Sequence, residues 1–285
     1  MATHPFRLLN VFAEDLFGGN PLCVFEDGSQ LDARSMQALA AQFNLSETTF
    51  LLPSTRADAR VRVFTPSQEI RFGGHPALGS AQVLRALHGG DHWQLEFEAG
   101  VVALSAVAAR WRFIAPVRAA APTLVADFSD EAAAALFGLA PDDLLAAPVW
   151  CDTGSQQMLI AVRSLAALQR ARPDLQRLGQ WPRSALQRQS VYLFALDGAL
   201  HEVVQARYFF VQGAGSIVED PGTGSAAANL GSWLVSHGVR PPFGRAIVQG
   251  AELGRVCHLH LEVDLSGEIS VGGAVYEVGR GYVEL

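Results

Sequence analysis

Apolar and polar positions change period several times along the first ninety residues. Phe6-Arg-Leu-Leu-Asn-Val-Phe12 and Leu22-Cys-Val-Phe25 flank a turn of Gly18-Gly19-Asn20-Pro21, which predicts a β-hairpin. Over 31–43 the apolar residues Leu31, Met36, Leu39, Ala40 and Phe43 recur at helical spacing, and over 48–52 β-favouring residues return. Glu47 therefore stands where a helix hands over to a strand. Val61-Arg62-Val63-Phe64 alternates as a strand does. The stretch 77–87 reads as a helix entered through Gly73-Gly74-His75-Pro76 and left through Gly89-Gly90.

After a strand-like Trp111-Arg-Phe-Ile114, the Ala- and Pro-rich stretch 115–122 is the expected boundary. Beyond it the pattern begins again. Cys151-Asp-Thr-Gly-Ser155 precedes Met158-Leu-Ile-Ala-Val162, as Gly18-Gly-Asn-Pro21 precedes the second strand. Asp220-Pro-Gly-Thr-Gly-Ser225 opens a helical stretch ending near His237-Gly238, as Gly73-Gly-His-Pro76 opens one ending near His88-Gly89. Two glycine-rich turns, each feeding a helix of similar length, point to a duplicated unit of roughly 120–150 residues.

Composition narrows the function classes. A chain of 285 residues with 49% hydrophobic and 17% charged residues has ample apolar surface to bury and no signature of disorder. Its net charge of −7 and dispersed basic residues exclude a general nucleic-acid binder, which needs clustered Lys and Arg. Cys23, Cys151 and Cys257 are far apart, odd in number and form no C-x-x-C, as expected of buried free thiols in a reducing compartment. Residues 1–12 carry no basic stretch followed by an apolar run, and no segment approaches the ~20 apolar residues of a membrane span. The expectation is a cytoplasmic protein without membrane or nucleic-acid partners.

Both glycine-rich turns present backbone N–H groups at a helix N-terminus, where donors lack internal partners and the dipole favours negative charge. They are read either as anion cradles, which would converge on one cleft if the halves packed face to face, or as tight turns with Asp220 as a cap and Pro221 at the first helical position. Glu47, in Asn44-Leu-Ser-Glu-Thr-Thr-Phe50, has apolar neighbours Leu45, Phe50, Leu51 and Leu52, a setting that tunes a carboxylate for acid/base work. By pattern alone the plainer reading is an ordinary surface glutamate or a cap partner at a helix end. His75 is a donor to substrate or a helix-start histidine bonded to backbone.

Other chemistry finds less support. Gly222-Thr-Gly224-Ser-Ala-Ala227 matches the dinucleotide spacing, but about twenty residues on stands Arg240-Pro-Pro242 rather than an acidic residue. Ser216 and Ser225 are not centred in G-x-S-x-G. His258 and His260 share a strand face without a third ligand and read as a solvated face. No metal or other cofactor is expected.

Taken in order, Phe17-Gly-Gly-Asn-Pro21, Leu45-Ser-Glu-Thr-Thr-Phe50, Phe72-Gly-Gly-His-Pro-Ala-Leu-Gly79 and Glu219-Asp-Pro-Gly-Thr-Gly-Ser-Ala226 resemble the phenazine-biosynthesis PhzF-like family. The tail, with Val248-Gln-Gly250, Glu252-Leu-Gly-Arg255 and Val271-Gly-Gly273, extends the resemblance over essentially the whole chain. It implies an α+β, diaminopimelate epimerase-like fold of two pseudo-symmetric halves, each a curled, mainly antiparallel sheet around a central helix, with the site between them. The halves would be 1–117, joined by the C-terminal strand at about 275–285, and 118–274.

Related epimerases use a cysteine in each half, and the corresponding positions here are Gly73 and Pro221. The resemblance implies instead a cofactor-independent isomerase of the trans-2,3-dihydro-3-hydroxyanthranilate type. Glu47, His75 and Asp220 would be its catalytic residues, with Gly74, Gly224 and Ser225 binding substrate. The expected substrate is a small anionic amino or hydroxy acid, and the expected assembly a homodimer. The alternative is a diverged member that binds metabolites or proteins without catalysis.

Overall fold

The computed structural model describes residues 2–119, 123–197, 202–212 and 215–285. The last part of the expected boundary stretch, 120–122, lies outside the described residues. Two compact units form, one from Met1–Ile114 with Gly272–Leu285 and the other from Ala115–Val271.

The first unit begins with β1 (Thr3–Val11) and β2 (Asn20–Phe25), followed by α1 (Ala33–Phe43), β3 (Glu47–Leu52), β4 (Ala59–Phe64) and β5 (Glu69–Ile70). It continues with α2 (Gly74–His88), β6 (His92–Phe97), β7 (Gly100–Val107) and β8 (Arg110–Ile114). The expected hairpin is present, with Leu8 opposite Cys23 in an antiparallel β1–β2 ladder. β2 and β3 then run parallel across α1, and β4 and β6 run parallel across α2, while the pairs β3–β4, β6–β7 and β7–β8 are antiparallel.

Helix α1 starts two residues later than its apolar pattern, because Asp32 caps it by accepting from Ser35 N–H at 2.8 Å. It stops at Asn44, whose left-handed backbone (φ 51°) turns the chain into β3. Strand alternation sorts the two faces of the sheet. Cys23, Phe25 and Phe50 pack with Met36, Leu39 and Ala40 on the α1 side. Leu9, Val11 and Leu22 face α2, which is buried from Gly74 through Ala81 and so is a central helix. Gly79 permits that closeness: a Cβ there would lie 2.3 Å from Leu22 Cδ2.

The second unit comprises β9 (Leu124–Val125), α3 (Asp130–Ala135), β10 (Val149–Asp152), β11 (Gln156–Val162), α4 (Leu165–Arg170) and β12 (Ser190–Asp197). It continues with β13 (Val203–Gln212), β14 (Ser216–Asp220), α5 (Gly224–Ser236), β15 (Phe243–Gln249) and β16 (Cys257–Val263), and β17 (Ile269–Glu284) leads back to pair with β1. Its pairing order repeats that of the first unit. β10–β11 is antiparallel, β11–β12 parallel, β12–β13 antiparallel, β13–β15 parallel and β15–β16 antiparallel. α4 occupies the place of α1 and α5 that of α2. Met158, Ile160, Val191 and Leu193 pack outward with Phe137 and Leu168, and Phe194 meets Trp233 of α5 edge-on at 4.9 Å.

Candidate active site

In the first unit, Glu47 is the first residue of β3 and His75 the second of α2. Glu47 Oε2 lies 3.0 Å from His75 Nε2, with side-chain exposures of 18% and 5%. The approach is close but off the hydrogen-bond direction, and this buried oxygen makes no aligned hydrogen bond among the described residues. Behind the ring, the buried Asn20 at the start of β2 places Nδ2 3.3 Å from His75 Nδ1. With the Asn20 amide as donor, Nδ1 accepts, which leaves Nε2 as the protonated nitrogen of a neutral ring, the one nearer Glu47. A buried Ser80 to Thr49 hydroxyl bond of 3.2 Å ties α2 to β3 one turn further along.

The second unit carries the other expected residues. Asp220 closes β14 opposite Tyr208, because the β13–β14 ladder runs through it. The cap reading of Asp220 is thereby corrected: Thr223 is the residue before α5, and Pro221 lies outside the helix. Thr223 turns its hydroxyl back onto the Asp220 carboxylate instead of capping. Buried Gln249 holds this turn, donating to Asp220 O at 2.8 Å and accepting from Thr223 N–H at 3.2 Å. The N-termini of both α2 and α5 thus lack a side-chain cap, at Gly73 and Thr223. Ser225, second in α5, accepts from Gln157 Nε2 at 3.0 Å. The same amide reaches Tyr208 Oη at 3.3 Å. Burial, opposed by a hydrogen bond with Ser190 and helped by the Asp220 charge, pushes Tyr208 up to about 12, so it remains a phenol.

The structure therefore brings Glu47, His75 and Gly74 together in one unit and Asp220, Gly224 and Ser225 in the other. Asn20, Gln157, Tyr208, Gln249 and Asn229, which donates from Nδ2 to Gln157 Oε1 at 2.8 Å, are further polar residues of these sites that the sequence motifs do not mark as site residues. Their signal is a polar residue at an inward position of an apolar element, as with Gln157 before Met158-Leu-Ile-Ala-Val162 or Asn229 between Ala228 and Leu230.

Thiol chemistry does not fit. The three cysteines are free and buried, and burial raises each thiol, Cys151 to about 11 and the other two further. Gly73 also has no room for a thiol side chain without a shift of Pro76, whose Cγ would lie 2.7 Å from an added Cβ. His258 and His260 are half-buried on β16 rather than solvated. Among the described residues no three His, Cys, Asp or Glu gather as metal ligands, and no helix is long and apolar enough to cross a membrane.

The fold is diaminopimelate epimerase-like, and the similar proteins that share it are of the isomerase and epimerase type. The family model described as phenazine biosynthesis-like protein matches residues 9–279, and the chain belongs to this PhzF-like family. It is 38% identical to an uncharacterized isomerase of Pasteurella multocida, over 99% of this chain and 94% of that one. It is 32% identical to the trans-2,3-dihydro-3-hydroxyanthranilate isomerase of Pseudomonas aeruginosa, over 98% and 100%. The crystal structure of a PhzF-family phenazine biosynthesis protein from Bacillus anthracis superposes with a TM-score of 0.83 over 100% of both chains at 23% identity, a likeness of fold.

Proposed function

We propose that this chain is a cofactor-independent isomerase that moves one proton on a small carboxylated amino or hydroxy acid, of the trans-2,3-dihydro-3-hydroxyanthranilate type. The observation that carries the reading is the 3.0 Å approach of Glu47 to His75, with the far side of the ring met by Asn20. A half-buried carboxylate beside an oriented imidazole is what a general acid/base requires. As carboxylate, Glu47 takes a proton from one substrate carbon. As carboxylic acid it returns that proton to another carbon on the same face, so no atom is gained or lost.

His75 orients the Glu47 carboxylate, and Asp220 holds the substrate amine. The uncapped helix starts, at Gly74 in the first unit and at Gly224 with the Ser225 hydroxyl in the second, are each suited to a substrate carboxylate. The P. aeruginosa relative's name supplies the substrate type. The enzyme works as a cytoplasmic homodimer, and sedimentation as a monomer at micromolar concentration would refute that assembly.

The functional test is incubation of the protein with trans-2,3-dihydro-3-hydroxyanthranilate and other small amino and hydroxy acids in D₂O, followed by NMR. The expected result is isomerised product with deuterium on carbon. No exchange or turnover with any of these acids would reject the reading in favour of a binding protein.

A further inference from the structure

One chain of hydrogen bonds in the second unit has a polarity fixed by backbone groups. Asn229, fully buried in α5, accepts at Oδ1 from Thr153 N–H (2.8 Å) and the Thr153 hydroxyl (2.7 Å), and donates from Nδ2 to Ser155 O at 2.9 Å. A backbone N–H only donates and a backbone carbonyl only accepts, so the Asn229 amide has one orientation. Its Nδ2 also donates to Gln157 Oε1 at 2.8 Å, which fixes the Gln157 amide in turn. The Gln157 NH₂ therefore faces Ser225 Oγ and Tyr208 Oη, and both hydroxyl oxygens are acceptors there. A hydroxyl that accepts from an amide keeps its own proton for another partner. Ser225 is half-buried in the uncapped first turn of α5, beside amides that also can only donate.

The geometry points to Gln157 and Asn229 as positioning residues that hold Ser225 as a hydrogen-bond donor, making this half-site selective for an acceptor-only anionic group, a substrate carboxylate. The inference rests on the isomerase reading for its substrate class but not on Glu47. A free serine hydroxyl would accept a substrate amine or hydroxyl as readily as it would donate to a carboxylate. The amide relay fills one of the two acceptor lone pairs of Ser225 and so biases the hydroxyl toward donation without placing a charge at the site.

The test is calorimetric binding of two probes: 3-hydroxyanthranilate, and 2-aminophenol, the same ring without the carboxylate. Wild type is expected to favour the carboxylated probe. Gln157→Glu presents a carboxylate that takes the Ser225 proton, and should weaken 3-hydroxyanthranilate by about tenfold or more while 2-aminophenol changes little, as befits a lost hydrogen bond to a charged group. Adding Ser225→Ala to Gln157→Glu should cost little more, because both act through the same proton. Gln157→Leu, which introduces no charge, should give a smaller loss of the same selectivity and serves if the glutamate variant does not fold.

Equal weakening of both probes, unchanged binding in both Gln157 variants, or a wild type indifferent to the carboxylate would overturn the inference. Failure of the Glu47 reading is distinguishable, since Glu47→Gln would then retain turnover whatever these affinities show.

Discussion

The two units share one connectivity and differ in what they place at equivalent points. In each, a strand, a short helix and a parallel strand are followed by an uncapped central helix. The parallel strand opens with Glu47 in the first unit and with Ser190 in the second, and the second residue of the central helix is His75 in one and Ser225 in the other. A side-chain amide from the preceding strand bonds each helix residue, Asn20 to His75 and Gln157 to Ser225. At these points one framework thus carries a carboxylate–imidazole pair in the first unit and hydroxyls in the second, whose carboxylate, Asp220, lies instead at the end of β14. On the proposed reading, the first of these two uncapped helix starts is the one that carries the proton.

The largest effect is expected at Glu47. Glu47→Gln keeps the shape and hydrogen bonding but cannot carry a proton, so kcat should fall by about 10²–10⁴-fold or more with little change in KM. Steady-state kinetics checks this, with circular dichroism and ligand binding to verify the fold. His75→Asn removes the group that orients the carboxylate while leaving the carrier. It should lower kcat less than Glu47→Gln does, and a pH–rate profile that keeps its Glu47 limb would support orientation over proton carriage.

On the other side of the comparison, Ser225→Ala should act on KM more than on kcat and cost roughly 10-fold, the order of one hydrogen bond to a charged group, because the α5 amides remain. A fall confined to kcat would place chemistry in the second unit as well.

The smallest effect expected is on stability at alkaline pH. Cys151 and Tyr208 are raised from 9.0 and 10.0 to about 11 and about 12, mainly by burial, so above about pH 9 the unfolded chain releases these protons first. The folded state then holds more protons than the unfolded one, and stability falls as pH rises through this window. Cys23, raised by burial in the first unit, acts with the same sign. Thermal midpoints should therefore drop between pH 8.5 and 11, while all three thiols stay unreactive toward alkylating agents at neutral pH until the chain unfolds.

Much of the local structure is legible in the sequence because its cause is local. Helical spacing locates α1 and α2, the Gly-Asn-Pro turn locates the first hairpin, and Glu47 stands at the helix-to-strand junction it was read to occupy. The recurrence of turn plus helix anticipates the repeated pairing order. What was not legible depends on contacts distant in the chain. Nothing near Asn20 announces its bond to His75, 55 residues away, and Asn229 reaches Gln157 across 72. Asp220 looks like a cap in isolation, yet its pairing opposite Tyr208 keeps it in β14 and passes the pre-helix position to Thr223. The six expected site residues came from the family resemblance, since neither Glu47 nor His75 declares its role by pattern alone.

On the proposed mechanism a single carrier in the first unit, Glu47, moves the proton. The most direct test of this is a single turnover in ordinary water of trans-2,3-dihydro-3-hydroxyanthranilate deuterated at the carbon that loses hydrogen, for wild type and Glu47→Gln, with the product examined by NMR. Wild-type product should retain part of the deuterium at the carbon that gains hydrogen, and Glu47→Gln should form product at least about 10²-fold more slowly. A folded Glu47→Gln protein that still transfers the label at near the wild-type rate would contradict that mechanism.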